Sequence, residues 1–223
     1  MTWVKICGTT SLDDAQISVA AGADALGFIF APSPRQVEVT QAAEITAALP
    51  PYVEKIGVFV NELPARVAEV AVQAGLTGVQ LHGDEAAEEL PRFRQALGRH
   101  KIIKTLQARS LLNVTVGDVS LFLQSKGNID AILLDSGSSK RRGGTGTPFL
   151  WEKAVPLAKS IQVTMPLIIA GGLSAVNVGD AIQLFSPWGV DVVSGVEREP
   201  GKKDETKVRE FVAAVRQREA IAG

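Results

Sequence analysis

The chain has 223 residues, a length typical of one α/β barrel, so its size does not require two domains. Hydrophobic residues make up 46% of the sequence, enough for a sizeable core, while 23 basic residues balance 24 acidic ones along its whole length. Because no basic face stands out, we do not expect a nucleic-acid-binding protein.

Short apolar runs recur along the chain, each preceded by a turn and each ending in a polar or small residue. They are nearly continuous rather than alternating, as expected of parallel strands that are buried on both faces. The predicted strands are Trp3–Cys7, Ala25–Phe30, Lys55–Val60, Gly78–Leu81, Lys101–Leu106, Ala131–Asp135, Leu167–Ala170 and Val190–Val193. Helical patterns lie between them, as at Leu63–Ala74, at Glu85–Leu97 and from Thr206 to about Ala220.

These units predict a (β/α)8 TIM barrel that forms a single domain over residues 1–223, with about 28 residues per unit. A doubly wound open sheet is the competing architecture, and it would need a glycine-rich phosphate turn after the first strand. The first strand here is followed by Cys-Gly-Thr-Thr, and the glycine-rich turns come after the seventh and eighth strands. That late position favours the barrel.

The single cysteine and the start of the chain bear on location. One cysteine cannot form an internal disulfide, which favours a reducing compartment. A strand-like run begins at Trp3 and leaves no room for a signal peptide, and the longest uncharged stretch, 160–179, contains turn residues rather than a membrane span. We therefore expect a cytoplasmic protein without a membrane partner.

Cys7 ends the first predicted strand, where barrel enzymes place active-site residues. A lone cysteine is more often a small buried hydrophobic residue. The two-residue period of a strand, however, puts Lys5 and Cys7 on one side and Val4 and Ile6 on the other, so Lys5 and Cys7 should point into the barrel. An ammonium near the thiol would favour the thiolate, the form that acts as a base or nucleophile.

Asp135 ends the sixth predicted strand and is followed by a glycine-rich loop, 136–146, with the composition of a mobile lid. It could be a loop carboxylate that caps local amides. A polar residue that ends a buried barrel strand is more typical of function, and a carboxyl in a partly apolar mouth can serve as a general acid.

Other candidates surround the same predicted mouth. Gly171 and Gly172, and Ser194 and Gly195, form two turns whose backbone amides could hold a phosphate, although either pair alone could be simple turn geometry. Arg35 is either a solvated charge or a fork for a substrate carboxylate. The last two candidates are His82 and Asp191. His82 is one of two histidines, and neither the second histidine nor a close cysteine pair supports a metal site, so we expect a hydrogen-bonding role for it. Asp191 either binds substrate or pairs with Lys5.

Taken together, the sequence resembles the phosphoribosylanthranilate isomerases, in their monofunctional form, from end to end. The matching stretches are VKICGTT (4–10), GADALGFIF (22–30), SPR (33–35), GVFVN (57–61), VQLHGDE (79–85), LLDS and GGTG (133–136 and 143–146), IIAGGL (168–173) and VDVVSGVEREPGKKD (190–204). One departure is Val193, where members of the family often carry a second serine.

The resemblance implies a TIM barrel that catalyses an Amadori rearrangement of a phosphorylated small molecule, in tryptophan biosynthesis and without a cofactor or metal. It implies Cys7 as the general base and Asp135 as the general acid, with Arg35 on the anthranilate carboxylate. The turns at Gly172 and at Ser194–Gly195 would hold the phosphate. Both a monomer and a homodimer fit such a barrel.

Three rival functions would leave different residues at the strand ends. A sugar-phosphate isomerase of the histidine pathway would have paired aspartates, with an acid at the end of the first strand, where this chain has Cys7. A catalytically silent phosphate-binding barrel should have lost Cys7 or Asp135, and both are present. An indole-glycerol phosphate synthase would have a carboxylate and lysine set at the early strand ends, which is not evident.

Overall fold

The computed structural model describes residues 1–107, 116–135 and 148–222. Eight parallel strands close into a barrel in sequence order, and the ring is completed by pairing of the eighth strand with the first. The strands are β1 (Trp3–Cys7), β2 (Ala25–Ile29), β3 (Glu54–Phe59), β4 (Gly78–Leu81), β5 (Lys101–Gln107), β6 (Ala131–Asp135), β7 (Leu167–Ala170) and β8 (Gly189–Val192). The predicted barrel is confirmed, and every predicted strand end lies within one residue of the observed one.

Helices cover the outside of the barrel between the strands. They are α1 (Leu12–Ala20), α2 (Val39–Ala47), α3 (Pro64–Gln73), α4 (Leu90–Leu97), α5 (Val116–Gln124), α6 (Pro148–Gln162), α7 (Val178–Phe185) and α8 (Glu205–Ala222). Two short strands, β9 (Glu197–Glu199) and β10 (Lys202–Lys203), form a hairpin after β8. Across the described parts of the chain, none of the helices has the length and apolar character needed to cross a membrane.

One predicted helix was too long. Instead of one helix over Glu85–Leu97, a short 3-10 turn at Ala87–Glu89 is followed by α4. The reason is that the Glu85 carboxylate accepts hydrogen bonds from the backbone N–H groups of Asn61 and Gly83, which holds this residue in the loop after β4. The predicted lid at 136–146 lies outside the described residues.

The barrel interior is layered from an apolar end to a polar end. A buried apolar cluster extends upward from the amino-terminal end of the barrel and consists of Trp3, Ala25, Ile56, Ile103, Ala131, Leu133, Ile168 and, at the carboxyl end of β7, Ala170. Trp3 stacks on Trp188 with ring centroids 5.1 Å apart, and the Lys101 ammonium lies 5.5 and 5.2 Å from the two rings. Within the described residues this end of the barrel is therefore plugged, and the open end lies at the carboxyl ends of the strands.

A polar layer lies above the apolar one. Lys5, Gln80, Thr105 and Asp191 all point inward and are almost fully buried. As the strand period predicts, Val4 and Ile6 face the other way, into the core between the barrel and its helices. The inward direction of Lys5 and Cys7 is thereby confirmed, and this layer forms the floor of the open end.

The last helix packs against α1 and α7 on the outside of the barrel, and its Phe211 is fully buried in the outer core. We expect Phe211→Ala to lower the free energy of unfolding by about 3–5 kcal/mol, because it removes a large apolar side chain and leaves a cavity. Urea denaturation followed by circular dichroism measures this change. Val72→Ala on the exposed face of α3 is the control, with an expected change of about 0.5 kcal/mol or less. An equal effect of both substitutions would contradict this role of α8.

Candidate active site

A cavity of about 420 Å³ opens at the carboxyl ends of the strands, a size suited to a small phosphorylated ligand. Its walls bring together most of the residues that the sequence singled out: Cys7, Arg35, His82, Asp135, Gly171, Gly172, Asp191 and Ser194. Residues from the first, second, fourth, sixth, seventh and eighth strands and their loops therefore meet at one site, as expected for a barrel enzyme.

Lys5 lies directly below the cavity and is held by two partners. Its ammonium donates hydrogen bonds to the Asp191 carboxylate and to the Gln80 side-chain carbonyl, both at 2.8 Å. Burial by itself would lower the pKa of Lys5, but the nearby Asp191 and Cys7 raise it on balance, so the ammonium stays charged. The prediction that Asp191 pairs with Lys5 is confirmed.

The effect of Lys5 on Cys7 has the predicted direction, but the net shift of the thiol pKa is in the opposite direction. Burial raises the pKa of the Cys7 thiol above its ordinary value of 9.0, and Asp191 raises it further. Lys5 favours the thiolate, but its charge is already shared with Asp191, so its effect does not overcome burial. Cys7 therefore rests as a buried thiol at neutral pH.

Two close contacts fix the position of Cys7. Its neighbour in the register of β2 is Gly27, and a methyl group at that position would overlap the sulfur atom. On the other side, the ammonium of Lys203 donates a 2.6 Å hydrogen bond to the Cys7 backbone carbonyl. The thiol thus occupies space that only glycine at position 27 leaves open.

His82 directly follows β4 and faces the cavity. Its Nδ1 lies 2.8 Å from Nε2 of Gln80 and 3.2 Å from the Thr105 hydroxyl, while its Nε2 lies 3.8 Å from an Asp135 carboxylate oxygen. Burial is the main cause that lowers the pKa of His82, so the ring is neutral at neutral pH. The predicted hydrogen-bonding position in the mouth is what the structure shows.

The turn that carries His82 is braced by a buried ion pair. The Lys104 ammonium contacts the Glu85 carboxylate at 2.7 Å and the Gly83 carbonyl at 2.8 Å. Since both side chains are almost fully buried, each charge depends on the other for compensation. This pair keeps the loop after β4, and with it the histidine ring, in a defined position.

Arg35 is more constrained than a solvated charge. Its Nε and Nη2 form hydrogen bonds of 2.8 and 2.6 Å to the two carboxylate oxygens of Glu197, which is itself buried. That contact uses the side edge of the guanidinium, and the end edge formed by Nη1 and Nη2 is the part that can meet a ligand. Lys203 also contacts Glu197, at 3.2 Å, so one carboxylate orients two cations.

The two glycine turns after β7 and β8 pack against each other at the far side of the cavity. A methyl group on Gly195 would overlap the backbone carbonyl of Leu173, so only glycine allows this approach. Gly195 thus supports the neighbouring turn, while Gly172 and Ser194 line the cavity itself. Asn177 fixes the first turn, since its side chain accepts a hydrogen bond from Ser174 N and donates one to the Gly172 carbonyl.

Sequence reasoning missed three residues that organise this site: Gln80, Glu197 and Lys203. The signal for Gln80 was available, because the strand period places it on the same inward side as His82. Glu197 and Lys203 gave no such signal, since both lie beyond β8 in a hairpin whose position depends on the whole fold.

The fold and the cavity define a TIM-barrel enzyme with a thiol and a carboxyl group in one mouth, beside two turns suited to an anion. Residues 4–214 match the family model described as N-(5'phosphoribosyl)anthranilate (PRA) isomerase. The chain therefore belongs to the N-(5'-phosphoribosyl)anthranilate isomerase family, and it is an isomerase.

Similar proteins cover nearly the whole chain. The isomerase of Pelobacter propionicus is 45% identical over 95% of this chain and 94% of its own length, and that of Rubrobacter xylanophilus is 44% identical over 97% and 100%. The crystal structure of the Thermotoga maritima isomerase superposes with a TM-score of 0.82 at 38% identity, over 97% of this chain and 100% of that one. Another isomerase, solved with reduced 1-(o-carboxyphenylamino)-1-deoxyribulose 5-phosphate, gives a TM-score of 0.78 at 36% identity, with 97% and 100% covered.

The resting state of Cys7 can be tested by alkylation, because it is the only cysteine of the chain. The rate of modification by iodoacetamide should rise about tenfold per pH unit, since only the thiolate reacts. The rise should continue through pH 9.0, the ordinary value for a thiol, because burial raises the pKa of Cys7. Mass spectrometry follows the reaction, with a small model thiol as reference. If the alkylation rate instead reached a plateau near neutral pH, the pKa of Cys7 would be lowered rather than raised, and the effect of Lys5 would exceed that of burial.

Proposed function

We propose that this isomerase catalyses the Amadori rearrangement of N-(5-phosphoribosyl)anthranilate to 1-(2-carboxyphenylamino)-1-deoxyribulose 5-phosphate in tryptophan biosynthesis. Asp135 is the general acid and Cys7 is the general base. The observation that carries the proposal is that Cys7 and Asp135 line one cavity together with Arg35 and the two glycine turns. The name of the family and the ligand of a structural relative support the same reaction.

The first step needs an acid. Asp135 donates a proton to the furanose ring oxygen, the bond between that oxygen and C1 breaks, and the nitrogen lone pair forms an iminium with C1. The step requires the carboxylic acid form of Asp135, which becomes a carboxylate once its proton is transferred.

The second step needs a base. The iminium makes the proton on C2 acidic, and the fraction of Cys7 that is present as thiolate removes it, so that the electron pair forms the C1=C2 bond of an enolamine. Tautomerisation then gives C1 a proton and removes one from the C2 hydroxyl to leave the ketone. One acid and one base complete the sequence, so we expect no metal or organic cofactor to take part.

Binding groups at the two ends of the cavity would hold the substrate. The end edge of Arg35 would bind the anthranilate carboxylate in a bidentate contact, with Glu197 fixing the plane of the guanidinium. At the other end, backbone amides of the turns at Gly172 and Ser194 would bind the phosphate. Val193, the departure from the family pattern, lines the cavity and leaves these amides in place.

One barrel supplies every group that the proposed reaction uses, so both a monomer and a homodimer are compatible with it. The proposed base is the thiolate of the single cysteine, so its sulfur must stay reduced to act. For that reason we propose that the enzyme works in the cytoplasm.

The assignment of substrate has a direct test. Purified protein is added to freshly generated phosphoribosylanthranilate, and the loss of substrate fluorescence is followed. Turnover well above the spontaneous rate is expected, and Cys7→Ala and Asp135→Asn should each lower kcat by roughly two or more orders of magnitude with the fold intact. Folded wild-type protein without turnover would overturn the proposed function, and a Cys7→Ala variant with wild-type activity would overturn the base.

The Asp135→Asn variant should reveal the titration of the base. Without the carboxyl group, the residual reaction depends on the thiolate fraction of Cys7, whose pKa is raised by burial. Its kcat/KM, corrected for the uncatalysed rate, should therefore rise about tenfold per pH unit across the neutral and weakly alkaline range. Cys7→Ala is the control and should lack this rise. A pH-independent residual rate in Asp135→Asn would argue that Cys7 is not the base.

Arg35→Met should act mainly on substrate binding. Because it removes the proposed carboxylate contact and spares the acid and the base, we expect KM to rise by about tenfold or more with a smaller change in kcat. Arg66→Met, on the exposed face of α3, is the matched control and should leave both constants unchanged. A fall in kcat alone would place Arg35 in the chemical step instead.

A further inference from the structure

Gln80 lies between the two halves of the polar layer and is almost fully buried. Its Oε1 accepts a hydrogen bond from the Lys5 ammonium, and its Nε2 lies 2.8 Å from Nδ1 of His82. One short side chain therefore connects the lysine beside the thiol to the histidine beside Asp135. Nothing in the proposed acid–base steps requires this connection, so its purpose needs a separate explanation.

The orientation of the Gln80 amide follows from the chemistry of Lys5. An ammonium has three donors and no acceptor, so only the amide oxygen can face it at 2.8 Å. The amide nitrogen must then point to the other side, where His82 and the Thr105 hydroxyl lie. The charge of Lys5 is itself secured by Asp191.

The orientation of the amide in turn decides the tautomer of His82. An amide nitrogen only donates, so Nδ1 of the neutral ring must be the acceptor and carries no proton. The Thr105 hydroxyl, 3.2 Å from the same nitrogen, can also donate to it. The single ring proton is then on Nε2, the nitrogen that faces Asp135 across 3.8 Å.

We infer that Gln80 is a positioning residue that fixes His82 in the Nε2–H tautomer, so that the histidine presents a donor to the substrate cavity. The separation of 3.8 Å from Asp135 is too long for a good hydrogen bond, and the His82 ring lines the cavity, so its Nε2–H group can donate to a ligand there. A ring with the opposite tautomer would present a lone pair beside a carboxylate and could not donate. The catalytic consequence rests on the proposed function, whereas the tautomer is a property of the free protein.

The chain contains an internal reference for this tautomer. Its second histidine, His100, places Nδ1 2.7 Å from the backbone carbonyl of Leu97. A carbonyl only accepts, so the neutral ring of His100 must carry its proton on Nδ1. The two histidines are therefore expected to be opposite tautomers in one molecule.

Nitrogen-15 NMR of protein labelled only at histidine tests the inference, because just two rings give signals. At a pH where both rings are neutral, long-range couplings should show the proton on Nε2 of His82 and on Nδ1 of His100. The His100→Gln variant assigns the signals. A proton on Nδ1 of His82, or an equal mixture of its tautomers, would overturn the inference without any variant of Gln80.

Gln80→Glu supplies the matched perturbation. A carboxylate of nearly the same shape still accepts from Lys5, but its second oxygen accepts as well, so His82 must place a proton on Nδ1. The NMR signal of His82 should change in this way, that of His100 should stay, and kcat should fall by about tenfold or more with a smaller change in KM. Gln80→Met, which neither donates nor accepts, should leave His82 a mixture of tautomers and an intermediate kcat.

The outcomes separate this inference from the proposed function. If wild-type protein shows the Nε2–H tautomer but does not turn over phosphoribosylanthranilate, the substrate assignment fails and the role of Gln80 in fixing the ring stands. If Gln80→Glu shifts the proton to Nδ1 and keeps wild-type kcat, the tautomer has no catalytic importance, and the positioning role is overturned.

Discussion

The buried ion pair between Lys5 and Asp191 is the interaction on which the open end of this barrel depends. It joins the first strand to the eighth, at the seam where the ring of strands closes. Two charges without solvent are costly unless they are well paired, and here the pair gains a third partner in Gln80. This layer separates an apolar plug below from a polar cavity above, and it sets the charge and hydrogen-bond direction that the cavity residues experience.

Lys5 affects Cys7 and His82 in different ways. Cys7 lies beside an ammonium and yet keeps its proton, because Asp191 compensates the charge and burial penalises the thiolate. Burial and the charge of Lys5 both lower the pKa of His82, and the Gln80 amide gives its ring proton a fixed direction. Lys5 thus influences both sides of the proposed site, by its charge and through the hydrogen bonds of Gln80.

Much of the architecture could be predicted from the sequence because it depends on local patterns. Short apolar runs bounded by turns marked the strands, and the strand period correctly placed Lys5 and Cys7 in the interior. The loop position of Glu85 escaped prediction, since its carboxylate binds backbone groups from a neighbouring loop. The pKa direction at Cys7 also escaped, because it depends on how Asp191, on the last strand, divides the charge of Lys5.

The residues of the candidate site also divide into those that local sequence patterns predict and those that only the fold brings together. Asp135 and His82 were found from their positions at strand ends, whereas Cys7 needed Lys5 beside it and the family resemblance as well, and the structure brings all three to one cavity. The partners that orient them come from distant parts of the chain. Glu197 reaches Arg35 across 162 residues of sequence, and Lys203 reaches the Cys7 carbonyl across 196. Contacts of such sequence separation carry no local pattern, so only the folded chain reveals them.

If the Asp191 carboxylate compensates the charge of Lys5, then removing this carboxylate should allow Lys5 to stabilise the Cys7 thiolate. The decisive measurement is the pH dependence of Cys7 alkylation in folded Asp191→Asn, compared with that of the wild type. The pKa of the thiol should fall, because a source of repulsion is lost and Lys5 can pair with the thiolate. An unchanged or higher thiol pKa in Asp191→Asn would contradict the central place given to this ion pair.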